Sequence, residues 1–247
     1  MYEKARYLIA GDSSIVVEFG NEISEEISAK VRGMYLAIEQ KKFPFIRAMN
    51  PTYRSLLVQY DPLQCPYEEI LETLQGLEEN LQNMDLPSPN ILEIPTLYGG
   101  ELGPDLGSVC EHSGLTKEEV IKIHSGRDYL VYMLGFTPGF SYLGGMDQKI
   151  ATPRLKTPRT KIPGGSVGIA GSQTGIYSID SPGGWQLIGK TPILLYDPQR
   201  QPPILHHAGD YIRFVPIDQK EYQSIEEAVK NGTYEYRYFP KEGGAAK

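Results

Sequence analysis

Residues 183–192 read GGWQLIGKTP, and from Gly184 onward they match the Gly-x-x-x-x-Gly-Lys-Thr pattern of a phosphate-binding loop. Such a loop works because a flexible, glycine-rich turn exposes backbone N–H groups and runs straight into a helix N-terminus. The interior here is Trp185-Gln186-Leu187-Ile188, bulky and β-favouring, and Lys190-Thr191 is followed by Pro192 and the apolar run Ile193-Leu194-Leu195-Tyr196. The stretch therefore reads as a strand, WQLIG, and a turn into a further expected strand, PILLYD.

That reading extends in both directions. From residue 129 to 215 short β-type runs (YLVYML, VGIA, GIYSID, WQLIG, PILLYD, YIRFV) alternate with glycine and proline, the pattern of a barrel or sandwich. Gly164-Gly165-Ser166-Val167-Gly168 matches the Gly-x-Ser-x-Gly nucleophile elbow, yet Pro163 precedes it and IAGSQTGIY follows where a helix is needed, so Ser166 reads as a turn serine. Upstream, Thr116-Lys117-Glu118-Glu119 is a capping box that opens a short helix. After the β region, QKEYQSIEEAVKNGTYEYRYFP fits one helix and a final strand, and KEGGAAK is expected to fray.

The first part of the chain has a different rhythm. ARYLIAG and SIVVEFG read as paired strands, followed by a helix in which Ile23, Ile27, Val31, Met34, Tyr35 and Ile38 recur at three- and four-residue steps, with Asn21 or Ser24 as its cap. PFIRAMNP and SLLVQYD repeat the strand pair; Ile70, Leu71, Leu74, Leu77 and Leu81 repeat the helix, with Pro66 suited to its first turn. The order ββαββα predicts an α+β domain over residues 1–88, and the proline-rich DLPSPNILEIP sets its boundary with a mainly β domain over 89–247.

Composition narrows the functions. The 247 residues carry 24 Lys plus Arg against 31 Asp plus Glu, a formal charge of -7, which argues against a nucleic-acid partner. No signal peptide and no apolar run long enough for a membrane span is present, so a cytoplasmic location without membrane partners is expected. Cys65 and Cys110 lack metal-ligand or disulfide spacing, and no metal site is expected.

Twelve of the 26 glycines lie between Gly135 and Gly189, interleaved with Phe136, Phe140, Tyr142, Tyr177 and Trp185. Glycine lets backbone approach a ligand, and aromatic rings supply apolar walls. Within this region ATPRLKTPRTKIPGG concentrates Arg154, Lys156, Arg159 and Lys161 on a proline-stiffened segment, a combination suited to a carboxylate, a phosphate or an acidic surface. Acid–base candidates are few: His124, which also fits as a plain helix C-terminal residue, and Asp147 and Asp180, the carboxylates between Gly135 and Pro192. His206-His207 read as a turn.

EIPTLYGGELGPDL, HSGRDYLVYMLGFTPGFSYLGGMD and ATPRLKTPRTKIPGGSVGIAGSQTGIYSIDSPGGWQLIGKTP together resemble the family of the bacterial 5-oxoprolinase B subunit, also called KipI and formerly the first allophanate hydrolase subunit, over residues 5 to 235. The resemblance implies an α+β N-terminal domain and a cyclophilin-like β-barrel. It implies work beside a homologous cyclophilin-like polypeptide (KipA, the 5-oxoprolinase C subunit) and a third polypeptide, the A subunit, in ATP-dependent opening of 5-oxoproline to glutamate. ATP with Mg would serve the complex without binding this chain alone, and this chain would carry no biotin. The pocket expected on the barrel comprises Phe136, Phe140, Tyr142, Arg154, Arg159, Gly165, Ser166, Gln173, Trp185 and Gln186, with His124 and Asp180 as acid–base candidates. The other reading it implies is a regulatory module that inhibits a sporulation sensor histidine kinase.

Overall fold

A computed structural model describes residues 1–81 and 86–241; the end of the KEGGAAK segment lies outside them. The described residues form two compact units that meet in sequence between Ser88 and Pro89.

In the first unit the elements run β1 (Arg6–Ile9), β2 (Ser14–Glu18), α1 (Glu25–Lys41), β3 (Ile46–Pro51), β4 (Ser55–Tyr60) and α2 (Tyr67–Asn80). The strands make one antiparallel sheet in the order β1-β2-β4-β3. Alternation decides its buried face: Ile15 and Val17 of β2 and Leu56, Val58 and Tyr60 of β4 enter a core with Ile27, Val31, Met34 and Ile38 of α1 and Ile70 and Leu74 of α2. Ser24 caps α1, accepting from the Ile27 N–H, and Pro66 stands at the N-cap of α2, one position before the first turn.

The second unit is a curled sheet. Its strands are β5 (Asn90–Tyr98), β6 (Asp128–Leu134), β7 (Ser141–Gly144), β8 (Arg159–Ile162), β9 (Ser166–Ala170), β10 (Gln173–Ile176), β11 (Ser181–Gly183), β12 (Gln186–Lys190), β13 (Tyr211–Pro216) and β14 (Tyr238–Pro240). Its main sheet follows the order β10-β9-β12-β5-β13-β6-β7, with β14 also on β5; β8 and β11 form a separate ribbon. The two ends of the sheet approach each other, since a Cβ at Gly175 of β10 would lie 3.3 Å from the Ser141 carbonyl oxygen of β7. The sheet is thus nearly closed, as fits a cyclophilin-like barrel. Val131, Leu143, Val167, Ile169, Ile176, Ile188, Ile212 and Phe214 fill it.

The helices α3 (Leu106–Ser113), α4 (Lys117–Ser125) and α5 (Gln219–Lys230) accompany the barrel. The Thr116–Glu119 capping box opens α4, and a second box, Asp218–Glu221, opens α5. None of the described helices is long and apolar enough to cross a membrane.

One expectation fails, and one helix was not foreseen. α3 had no sequence signal, because Gly107 and Ser108 weaken its short apolar period. PILLYD is not a strand: Pro192 removes a ladder donor, and the Arg200 guanidinium instead collects the carbonyls of Leu194, Leu195 and Pro203 at 3.0, 3.0 and 2.9 Å. WQLIG, by contrast, supplies β12 between β5 and β9, with Leu187 and Ile188 buried. Lys190 leads into irregular chain and not into a helix, so the phosphate-loop geometry is absent there.

One close approach fixes α3 on the barrel: a Cβ at Gly103 would overlap the Ile188 carbonyl group, while a Cβ at Gly107 would meet nothing within 4 Å. Gly103→Ala is therefore expected to cost about 3 kcal/mol or more, and Gly107→Ala to stabilise by up to about 1 kcal/mol. Urea unfolding of both variants checks the pair; similar midpoints would contradict it.

Candidate functional site

The turn Gly135–Phe140 between β6 and β7 is unusually constrained. Gly135 N–H donates to the Phe140 carbonyl (3.1 Å), Thr137 N–H to Gly135 (2.7 Å), and Phe140 N–H back to Thr137 (3.0 Å). Ser178 Oγ pins the turn from the other side by donating to the Pro138 carbonyl at 2.6 Å. Within it Phe136 adopts φ 64°, the left-handed region that a bulky residue enters only when its surroundings impose it. Its ring is 63% exposed.

Phe136 is the outer ring of an aromatic group. Phe140 lies edge-on to Phe136 (5.5 Å between centroids), Tyr142 (5.2 Å), Tyr177 (5.7 Å) and Trp185 (5.7 Å). These five rings, with Arg154, Pro158, Pro182, Gly183 and Gly184, line a concavity of about 380 Å³. Gly183 is required there, since a Cβ would overlap the Tyr177 phenol oxygen. Burial raises the pKa of that phenol, against the smaller opposing pull of the Trp185 backbone and the two nearby arginines.

The four cations of the basic segment divide. Arg159 turns inward, giving one bond to Asp105 Oδ1 (2.8 Å) and one to the Trp185 carbonyl (3.4 Å). Lys161 pairs with Asp180 at 2.9 Å. Arg154 instead stands over the Trp185 ring, 5.9 Å from its centroid, and among the described residues no carboxylate pairs with it. Among the described residues no Asp or Glu lines the concavity.

The structure thus brings together Phe136, Phe140, Tyr142, Arg154 and Trp185 of the expected set, and adds Tyr177. It does not bring the others to the concavity. Gly165 forms a turn at φ 83°. Ser166 is buried on β9, paired with Lys190 rather than raised on an elbow. Gln173 opens β10, and Gln186 is buried, donating to the Pro153 carbonyl at 2.9 Å. Arg159 acts behind the wall. Asp180 accepts from Gly164 N–H (2.8 Å) as well as Lys161, and those bonds, led by the backbone one, lower its pKa.

His124 is in the barrel core, away from the rings of the concavity. Thr174 Oγ1 donates to the Gly168 carbonyl, so it accepts from His124 Nε2–H (2.7 Å), and the Tyr98 hydroxyl then donates to Nδ1 (2.7 Å). Phe214 packs against the ring at 4.4 Å. Burial drives the imidazole pKa down to about 3, and with no exposed surface it has no path to a ligand in this conformation.

Sequence reasoning missed Asp105. Buried at the start of α3, it donates its own N–H to the Leu187 carbonyl and accepts the Leu187 N–H on Oδ2 at 2.6 Å, while Oδ1 holds Arg159. No motif announced it, since its partner Arg159 lies 54 residues away in sequence.

Residues 5–206 match the family described as carboxyltransferase domain, subdomain C and D. The chain also shares 45% identity over 228 residues with the 5-oxoprolinase B subunit of Bacillus subtilis (strain 168), an alignment covering 88% of this chain and 95% of that one. The chain belongs to this family. A solved structure of a conserved uncharacterized protein from Pyrococcus horikoshii is 49% identical with a TM-score of 0.53, covering 88% of this chain and 100% of that one. The solved TTHA0988 chain is 35% identical with a TM-score of 0.75; the match covers 83% of this chain but 40% of that longer one.

The buried histidines predict a pH dependence. Their folded pKa values, about 3 for His124 and about 4 for His206, lie below the ordinary 6.5. Depression of this kind leaves stability fully present above pH 6.5 and removes it as pH falls toward the folded values. Each histidine should add a slope of up to about 1.4 kcal/mol per pH unit between pH 6 and pH 4. His124→Gln is expected to remove its share, read as a smaller loss of the urea midpoint from pH 7 to pH 5; an unchanged loss would contradict the assignment.

Proposed function

We propose that this chain is a non-autonomous component of a 5-oxoprolinase complex, which opens 5-oxo-L-proline to L-glutamate at the expense of ATP. The single observation that carries the reading is a concavity walled by aromatic rings and holding one guanidinium that no lining carboxylate neutralises. Such a site suits a small anion with a flat, apolar body. The name of the Bacillus subtilis relative supplies the reaction.

The described residues do not fit ATP and magnesium. Lys190 lies on β12, no glycine turn leads into a helix beside it, and two of the four basic-segment cations are already paired. Among the described residues no three His, Cys, Asp or Glu side chains converge. On this reading the nucleotide and its phosphoryl chemistry belong to partner chains: a homologous cyclophilin-like polypeptide and a third one. The larger TTHA0988 chain, which holds a related fold in 40% of its length, is compatible with such a neighbour.

Phe136 is the natural contact for that neighbour, because its side chain is mostly exposed, with one edge on Phe140, and is presented by a backbone held in the left-handed region. Phe140, at 3% exposure, is not available.

Two measurements test the reading. The purified chain should neither hydrolyse ATP nor open 5-oxoproline until both partner polypeptides are added; robust turnover by this chain alone would refute non-autonomy. Phe136→Asn, which suits a left-handed position better than phenylalanine, should leave thermal stability unchanged or higher while weakening partner co-elution about tenfold. Co-elution indifferent to the change would remove the ring from the interface.

A further inference from the structure

Arg154 differs from its three basic neighbours in what surrounds it. Arg159 spends its charge on Asp105 and Lys161 spends its charge on Asp180. Lys156 is exposed and does not line the concavity. Arg154 alone of the four faces the rings, above Trp185. A single guanidinium over aromatic walls selects for one negative charge. A nucleoside triphosphate, with about four charges at neutral pH, would leave most of them without a cation in this concavity. A cationic ligand, which an aromatic cage would otherwise attract, is repelled by the guanidinium.

We propose that Arg154 binds the carboxylate of the lactam substrate while the substrate's five-membered ring lies in the concavity beside Trp185. This rests on the reading of the chain as part of a 5-oxoprolinase and adds which portion of the substrate this chain holds. The amide nitrogen of 5-oxoproline is uncharged, so the ring enters the aromatic walls without desolvating an ammonium. L-Proline has the same ring size and the same carboxylate but a charged nitrogen beside the arginine. L-Glutamate, the product, carries an ammonium, a second carboxylate and no ring. The site therefore favours substrate over product, and ring opening itself weakens the hold. Asp105 and Arg159 act as positioning residues, since Arg159 bonds the Trp185 carbonyl from behind.

The chain has one tryptophan, Trp185, so its emission reports on this site alone. Titration of the purified chain with 5-oxo-L-proline is expected to give a saturable change. 2-Pyrrolidinone, the same lactam without the carboxylate, and L-proline should each bind at least tenfold more weakly. Arg154→Lys keeps the charge but loses the fork and should weaken binding about tenfold; Arg154→Leu should abolish the response with an unchanged circular dichroism spectrum. No saturable response in the parent, or equal responses in the parent and Arg154→Leu, would overturn the proposal.

The assembled complex separates this inference from the reading beneath it. With all components present, Arg154→Leu should raise KM for 5-oxoproline at least tenfold. If that complex turns over 5-oxoproline with unchanged KM, the assignment of Arg154 fails while the reading as a 5-oxoprolinase component stands. If the complex of parent chains does not act on 5-oxoproline at all, both fail.

Discussion

A buried carboxylate organises the barrel's functional side. Asp105 sits at the start of α3, receives the Leu187 N–H and holds the Arg159 guanidinium. Burying a carboxylate is costly unless it is paired and hydrogen-bonded, and here each oxygen has a donor. The consequence is mechanical as well as energetic. The start of α3, the start of β12 and the start of β8 meet at one side chain, and Trp185, immediately before β12, is bonded through its carbonyl by the same arginine. Removing the carboxylate would leave a guanidinium beside apolar rings without its anchor.

The aromatic site is assembled mostly from turns, with Tyr142 alone of its five rings supplied by a strand, β7. Phe136 and Phe140 come from the turn after β6, Tyr177 from the end of β10, and Trp185 from the link between β11 and β12. Hydrogen bonds across these turns, such as Ser178 to Pro138 and Leu155 N–H to the Gly184 carbonyl at 2.7 Å, substitute for ladder pairing. Rigidity in irregular backbone is what lets a few rings hold a fixed cleft.

Much of this was legible in the chain. Paired strand patterns marked β2 and β4, short β-type runs marked β9 and β13, and the Thr116 capping box placed the start of α4. Proximity in sequence also exposed the aromatic and basic residues that meet at the site. What stayed hidden was long-range pairing. Charge alone could not say that Arg159 would be claimed by a carboxylate 54 residues away and Arg154 left open. Nor could it say that His124, at the end of an amphipathic helix, would turn its ring between Tyr98 and Thr174 rather than outward. PILLYD misled because Ile193 and Leu195 are buried from an irregular segment, with Leu194 exposed between them; its carbonyls at Leu194 and Leu195 are satisfied by Arg200, a solution with no local signature.

The pairing of β5 has a consequence for how the chain is made. β5 begins the second unit, yet its parallel partner β13 pairs Tyr211 with Ile91, about 120 residues later, and its other edge is met by β12 at Tyr98 and Leu97 and by β14 at Asn90 to Leu92, the latter only from Tyr238 onward. On a ribosome this strand emerges with both edges open, its C-terminal end waits about 90 residues for β12, and its N-terminal end waits for β13 and β14. Open edges of apolar strands invite pairing with other chains, and distant contacts form slowly. The first unit, whose strands pair within residues 6–60, has no such wait. Nascent chains stalled between these points are accordingly the species that most need a chaperone.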